Sequence, residues 1–401
     1  MNDVILTLNA GSSSIKFAAY RVESENLTAL ATGLVDGIGG AATFSVTLTG
    51  GRADKRAIAG SGPVDHKAAL AAVIGWLNQS QQDCRIAAIG HRVVHGGPDF
   101  AKPILIDDLR LAQLRDLTPL APLHQPHNLA GVDAARHAFP DATQVACFDT
   151  AFHRSHPFIA DTFALPRQYY DQGIRRYGFH GLSYEFITKR LRTVAPELAA
   201  GRVIIAHLGN GASMCALREG KSISSTMGFT ALDGLPMGTR CGQLDPGVVL
   251  YLITQKGMTP ESVSDLLYND CGLKGMSGLS NDMRVLADSA SPRVREALQY
   301  FVARIRHELG GLAADLGGVD AIVFTGGIGE HSWSTRQAVL RGMEWLGIQL
   351  DDSANERGEQ TISTPQSTTR VFVLPTDEER MIAEHTAAIA QSSGRLEHYR
   401  P

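Results

Sequence analysis

The chain has 401 residues, 44% of them hydrophobic and 19% charged, with 41 glycines. That length exceeds one ordinary core, and that composition excludes disordered and fibrous chains, which leaves a globular α/β protein of two domains. A formal net charge of −4 gives no general attraction to nucleic acid or anionic membranes, so positive charge for an anionic ligand has to be local.

The five cysteines (Cys84, Cys147, Cys215, Cys241 and Cys271) are scattered and never form C-x-x-C, which argues against a disulfide framework and a zinc-thiolate site. The opening MNDVILTLNAGSSSIKF has no basic segment followed by an apolar core, so no signal peptide is expected. No apolar run reaches the roughly 18 residues of a membrane span. A cytoplasmic location follows as the expectation.

Val4–Leu8 reads as a short strand, Ala10 to Ser14 as a polar turn and Ile15–Tyr20 as a returning strand, together a hairpin. Thr43–Leu48 alternates like a strand, and a helix is expected near His66–Gln81 with Ala69, Leu70, Val73, Ile74 and Leu77 on one face. Ile86–Ile89 reads as a buried strand leading into His91-Arg92-Val93-Val94-His95. Val145-Ala146-Cys147 is another, ending at Asp149, and a carboxylate at the carboxyl end of a strand is a usual functional position in α/β folds.

Arg202–Leu217 repeats the plan of the first hairpin: a strand, the turn His207-Leu208-Gly209-Asn210-Gly211, and a second strand from Ser213. Two such units suggest a duplicated fold. A long helix over about Val294–Leu316 buries Leu298, Phe301, Val302, Ile305, Leu309 and Leu312. It is followed by the strand Ala321–Phe324 and the glycine loop Thr325–Glu330. Asp351–Thr369 is the most polar stretch and reads as a surface excursion. The last helix starts after Pro375, with Thr376 as N-cap and Glu379 completing a capping box. The acidic run Asp377-Glu378-Glu379 then serves either the helix dipole or a site.

Three glycine-rich turns after strands, Asn9–Ser14, His207–Ser213 and Thr325–Glu330, have the small residues that let backbone amides approach phosphate, and each is otherwise a plain turn. None is a Walker A loop. Lys16 could supply a point charge. Arg92, between His91 and His95, and Arg240, in a glycine-flanked loop, are either forks for carboxylate and phosphoryl oxygens or halves of structural ion pairs. His180, glycine-flanked beside Phe179, is placed for exposure in a cleft. His91 and His207 read as satisfied core histidines, and no histidine has metal-ligand spacing with a third ligand.

The strings LNAGSSSIKF, GHRVVHGG, APLHQPHNL, FDTAFH, RRYGFHGLSYEF, HLGNGAS, MGTRCGQLDPG, FTGGIGE and PTDEE, in this order from Asn9 to about Glu379, resemble the acetate kinase family. The resemblance implies an α/β fold of two RNase H-like domains, the duplicated fold of actin, sugar kinases and heat-shock ATPases, flanking a nucleotide cleft. Residues 1–150 with 382–401 would form the first domain. Residues 151–381 would form the second, with the nucleotide site and the interface of a homodimer. It implies reversible transfer of the γ-phosphoryl of ATP to acetate, with Mg²⁺ or Mn²⁺ held by Asn9 and Glu378. Ser12, Ser14 and Lys16 would line the phosphate path. Arg92 and Arg240 would face the acyl phosphate, His180 would stabilise the transferring group, and Asp149 would be the catalytic acid. His207, Leu208, Gly209, Asn210 and Gly211, then Asp282, Met283 and Arg284, then Gly327, Ile328, Gly329, Glu330 and His331 would surround the nucleotide. Arg92, Val94, Leu123 and Phe179 would bind the acid.

The chain departs from the family's common pattern at Ala231, Gln243, His331 and Asp377. Ala231 maps to the wall of the acyl pocket, where a smaller side chain leaves room for one more methylene, so propionate joins acetate as an expected acceptor. A carboxylate is already ionised at neutral pH, so Asp149 is expected to orient Arg92, a metal-bound water or the acceptor rather than strip a proton. The reading from another class is a nucleotide-switched binding protein of the actin or chaperone type, which has no use for Arg92, His180 and Arg240 together.

Overall fold

The computed structural model describes residues 2–11, 13–24, 26–58, 62–80 and 84–396. The chain divides into two compact units, residues 1–151 with 377–401, and residues 152–376.

The first unit is built on an eight-stranded sheet: β1 (Asn2–Ala10), β2 (Ser14–Val22), β3 (Leu27–Asp36), β4 (Thr43–Leu48), β5 (Ala53–Ala57), β6 (Cys84–Val93), β7 (Ile104–Leu105) and β8 (Thr143–Phe148). Their spatial order is β5-β4-β3-β2-β1-β6-β8-β7. The hairpin pairs Asn9 with Lys16, and β1, β6 and β8 run parallel. Helices cover a parallel sheet on both faces, and β8 is accordingly buried throughout as Thr-Gln-Val-Ala-Cys-Phe. The outermost β5, Ala-Asp-Lys-Arg-Ala, is exposed throughout, and its charges blunt a sheet edge.

The helix His66–Ser80 lays Trp76 against Phe17 and Phe44, with ring centroids 5.7 to 6.3 Å apart, on one face of this sheet. Each such ring stabilises by on the order of 2 kcal/mol through the water it leaves. On the other face the helix Glu378–Ser392 packs Ala383, Ala387 and Ala390 onto Ile5, Ala18 and Ala88. Small side chains let this helix approach closely, and Gly90 of β6 lies where a Cβ would meet Thr386 Oγ1 at 2.2 Å.

In the second unit β9 (Arg202–Leu208), β10 (Ala212–Arg218), β11 (Lys221–Ser225), β12 (Ala321–Thr325) and β13 (Arg370–Val373) form a sheet in the order β11-β10-β9-β12-β13. Here β10 is antiparallel to both β9 and β11, while β9, β12 and β13 are parallel. The first unit's β3-β2-β1-β6-β8 has the same order and directions, so the duplication suggested by the two hairpins extends over five strands.

The long helix runs Pro292–Leu316, with proline at its first turn and Gly317 closing it at a left-handed φ of 69°. It buries Val294, Ala297, Phe301, Ile305, Leu309 and Leu312. Leu298 and Val302, expected inside, are half-buried, because the inward stripe passes through the small Ala297. The expected glycine loop after Phe324 is instead a short helix, Gly326–His331, starting directly at the end of β12. Asp351–Thr369 is less of a surface excursion than its polarity suggests, since Asn355, Ser367 and Thr369 are buried and hydrogen-bonded.

The last helix begins one residue later than its capping box implied. Asp377, not Thr376, is the N-cap, and its carboxylate accepts from the Arg380 amide at 2.8 Å. Thr376 is engaged elsewhere: its hydroxyl meets Ser183 Oγ at 2.9 Å and its amide donates to Glu330 Oε1 at 3.2 Å.

Gly90→Ala is expected to push the last helix away from β6 and to cost about 1–3 kcal/mol of stability in a urea titration. An unchanged midpoint would refute this close packing.

Candidate active site

The first unit gathers its chemistry where the parallel strands end. Asn9 lies near the end of β1, Arg92 near the end of β6, and Asp149 just past β8; Glu378 opens the last helix. Arg92 donates from Nε to Asp149 Oδ1 at 2.9 Å and from Nη2 to Oδ2 at 2.5 Å, a two-pronged fork. Its Nη1 donates to Asn9 Oδ1 at 3.1 Å, and Glu378 Oε2 stands 3.9 Å from Nε. Burial pulls the Arg92 guanidinium down, but the charges of Asp149 and Glu378 more than offset it and leave its pKa above the ordinary value. Burial pushes the Glu378 carboxyl up to about 7, against the opposing pull of Arg92. Two carboxylates thus face one guanidinium in a desolvated place, an excess of negative charge that a cation would relieve. The oxygen donors of Asn9 and Glu378 suit a hard divalent ion such as Mg²⁺.

Asn128 holds this arrangement together, donating to the Ala10 carbonyl at 2.5 Å and accepting from the Val94 amide at 2.9 Å. His66 Nε2 reaches the Gly11 carbonyl at 2.7 Å and stacks on His127. Ser14 closes the first glycine turn, its carbonyl accepting from Gly11 at 2.8 Å. Ser12 lies outside the described residues. Lys16 projects from β2 into a cavity of about 330 Å³ that Asp377 and Glu379 also line. Val94 is buried and Leu123 is exposed. His91, with Nε2 2.8 Å from Gln144 Oε1, is a satisfied core histidine as expected.

In the second unit the corresponding strand ends carry His207, Thr325 and Thr376. His207 Nδ1 meets Ser183 Oγ at 2.8 Å, and its ring stacks on His180 at 4.4 Å. His180 sits at a left-handed φ of 58° just before the helix Gly181–Val194, with Nδ1 2.8 Å from Ser213 Oγ. Its turn is fixed from behind. His153 Nε2 donates to the Phe179 carbonyl at 2.9 Å, and a Cβ on Gly178 would strike the His153 ring at 2.6 Å. Burial holds His153 neutral, its pKa down at about 4.

Gly211 lies between two functional candidates: a Cβ there would be 3.2 Å from His180 Nε2 and 3.9 Å from Arg240 Nη1. Arg240 Nη1 also donates to the Ala231 carbonyl at 3.1 Å. Gly209 faces the amide of Gly327, and the Asn210 side chain accepts from Asn281 at 3.2 Å. Glu330 turns back on its own helix, accepting from the Gly326 amide at 2.9 Å. Asp282 caps the helix Met283–Ala287 and pairs with the exposed Arg284. Leu208, Met283 and Gly329 are buried, Ile328 is half-buried and His331 is exposed.

Arg336 carried no sequence signal. It is wholly buried and donates to the carbonyls of Gly329 and Glu330 at 2.9 and 2.8 Å and to the side chain and carbonyl of Asn355 at 2.7 Å. Burial among these neutral acceptors pulls its pKa down to about 10. It ties down the end of the Gly326–His331 helix.

The acetokinase family profile matches residues 4–384. The chain belongs to that family. It is 56% identical over 398 residues to an acetate kinase of Methylocella silvestris, covering 97% of this chain and 98% of that one. It is 52% identical to an acetate kinase of Nitrobacter hamburgensis, covering 99% of both. Among solved structures, Porphyromonas gingivalis acetate kinase aligns with TM-score 0.86 and 37% identity over 96% of this chain and 99% of that one. A propionate kinase of Francisella tularensis aligns with TM-score 0.89 and 34% identity over 96% and 100%. The two repeated sheets are therefore those of the duplicated actin-like ATPase fold.

Arg336→Met is expected to leave buried carbonyls without donors and to lower the unfolding free energy by on the order of 3 kcal/mol. Equal melting temperatures for variant and parent would contradict this.

Proposed function

We propose that the protein transfers the γ-phosphoryl group of ATP to acetate, reversibly, forming acetyl phosphate and ADP. The observation that carries this reading is the Arg92–Asp149 fork. In it both Asp149 oxygens accept from the Arg92 guanidinium, so the carboxylate serves to hold Arg92 in place. A sugar hydroxyl would need a base; an acetate ion does not. A carboxylate oxygen bonds to Pγ, the bond from Pγ to the bridging oxygen of ADP breaks, and no proton has to move.

The difficulty is charge, since an anion must approach an anion. Arg92, held in place by Asp149, orients the carboxylate. Arg240 and His180, which flank Gly211 in the second unit, bind the equatorial oxygens as the phosphoryl group flattens. Asn9 and Glu378 would hold Mg²⁺, which supplies neutralisation of the nucleotide's phosphate charge. Ser14 and Lys16 line the phosphate path. The turn His207–Gly211, with residues 282–284 and 327–331, surrounds the nucleotide.

Propionate is the second acceptor, and Ala231 favours it. Its short side chain leaves space in the acyl wall, while its carbonyl still engages Arg240. One methylene is worth only ~1–3 kcal/mol of discrimination. Trapping the acyl phosphate as hydroxamate from acetate, propionate and butyrate is expected to give acetate first, propionate next and butyrate least. Arg92→Ala and Arg240→Ala are each expected to lower kcat at least a hundredfold, on the order of 3 kcal/mol, with ATP binding retained. Parental turnover in both variants, or no acyl phosphate from any acid, would end this reading.

The protein is further read as a cytoplasmic homodimer joined through its second unit. The helix Pro246–Thr254 buries no residue although its sequence is Pro-Gly-Val-Val-Leu-Tyr-Leu-Ile-Thr, and Leu250 and Tyr251 are 62% and 52% exposed. Leu244, Met276 and Tyr300, all exposed, line one groove of the same unit. An apolar face of this kind marks an interface. Light scattering should give twice the 43.0 kDa chain mass, falling to one chain in Leu250→Glu. A monomeric parent would refute the dimer.

A further inference from the structure

The phosphotransfer reading requires a hydrogen bond from His180 but says nothing of which ring nitrogen carries its proton. The buried groups behind the ring settle that.

His180 Nδ1 lies 2.8 Å from Ser213 Oγ, and the same oxygen is hydrogen-bonded to the Tyr184 hydroxyl. Ser213 and Tyr184 are wholly buried, and Ser213 is the one hydrogen-bond partner of the Tyr184 hydroxyl among the described residues. Burial pushes the Tyr184 phenol well above its ordinary pKa, so it keeps its proton. Ser213 has a single hydroxyl proton to give. If Nδ1 carried a hydrogen and donated it to Ser213, three protons would share two hydrogen bonds. Ser213 would either donate to Tyr184 and strand the phenolic proton, or accept from both neighbours and strand its own, in each case burying an unpaired donor. In the opposite direction every group is satisfied: Tyr184 donates to Ser213, and Ser213 donates to Nδ1. The neutral ring then carries its hydrogen on Nε2, the atom that faces Gly211 beside Arg240.

We propose that Tyr184, acting through Ser213, is a positioning residue that fixes His180 as the tautomer protonated on Nε2, a donor aimed at the transferring phosphoryl group. The catalytic consequence rests on the reading given above; the tautomer itself does not. Tyr184 thereby sets the polarity of a group it does not touch.

Nitrogen NMR of protein labelled with ¹⁵N-histidine, with His180 assigned by the signals missing in His180→Gln, reads the tautomer directly. The parent is expected to show a pyrrole-like Nε2 and a pyridine-like Nδ1. Tyr184→Phe keeps the ring packing and frees Ser213 to point either way, so its two nitrogens should move toward a mixture. Its kcat should fall about tenfold while KM for acetate and ATP stays within about twofold. Ser213→Ala removes the relay with Tyr184 in place and should shift the same nitrogens, which keeps the test available if one variant folds badly. A parent protonated on Nδ1, or variants with the parental nitrogen spectrum, would overturn the proposal. A parent that phosphorylates no short-chain acid would sink the phosphotransfer reading, while the spectra would still decide the tautomer.

Discussion

The first unit's candidate site depends on one ion pair, the fork between Arg92 and Asp149. It joins the ends of two neighbouring parallel strands, so the sheet register that pairs Arg92 with Cys147 also brings the two side chains to one place. A largely buried guanidinium is stable there only when paired and hydrogen-bonded, and Asp149 with Asn9 meets that condition. For the proposed transfer the same fork would hold a cation for an incoming anion, and it engages both oxygens of the Asp149 carboxylate.

The second unit solves its polar burial differently. Ser183, Ser213 and Thr376 link the His180 and His207 rings to their neighbours through hydroxyl hydrogen bonds, and Arg336 is satisfied by carbonyls and an amide. Such chains are directional, because each hydroxyl has one proton. A network of neutral groups can therefore fix where a hydrogen sits as firmly as an ion pair fixes a charge.

Much of this was legible in the sequence and some was not, for physical reasons. Glycine turns after apolar strands marked the two hairpins, and the alternation of strand and helix marked the fold class; the family strings carried the rest of the fold. Arg92 and Asp149 were visible as charges at strand ends. Asn128 gives no signal among the histidines of its segment, because its partner, the Ala10 carbonyl, is 118 residues away and spacing carries no trace of it. Arg336 reads as an ordinary surface residue of an amphipathic helix until the carbonyls around it are seen. The capping-box pattern points to Thr376, while the neighbouring Asp377 is as good a cap by residue type. Only the tertiary partners Ser183 and Glu330, which claim Thr376, separate them.

The duplication explains why the two units carry different chemistry on one framework. In the first, Leu8 pairs with His91, and the next step along β6 is Arg92. In the second, His207 pairs with Thr325, and the next step beyond β12 is Gly326. Near these strand ends one unit has a charged side chain and the other has bare backbone, at a φ of 76° where a Cβ would strike the Leu208 carbonyl at 2.8 Å. A side-chain fork holds charge and orientation for a reacting group. Bare backbone permits close approach by a flat or phosphate-bearing ligand. The sheet fixes only where the strands end, so the residue just beyond each end was free to differ between the two copies. That freedom is what lets one repeated topology serve both an ionic site and a backbone-lined one.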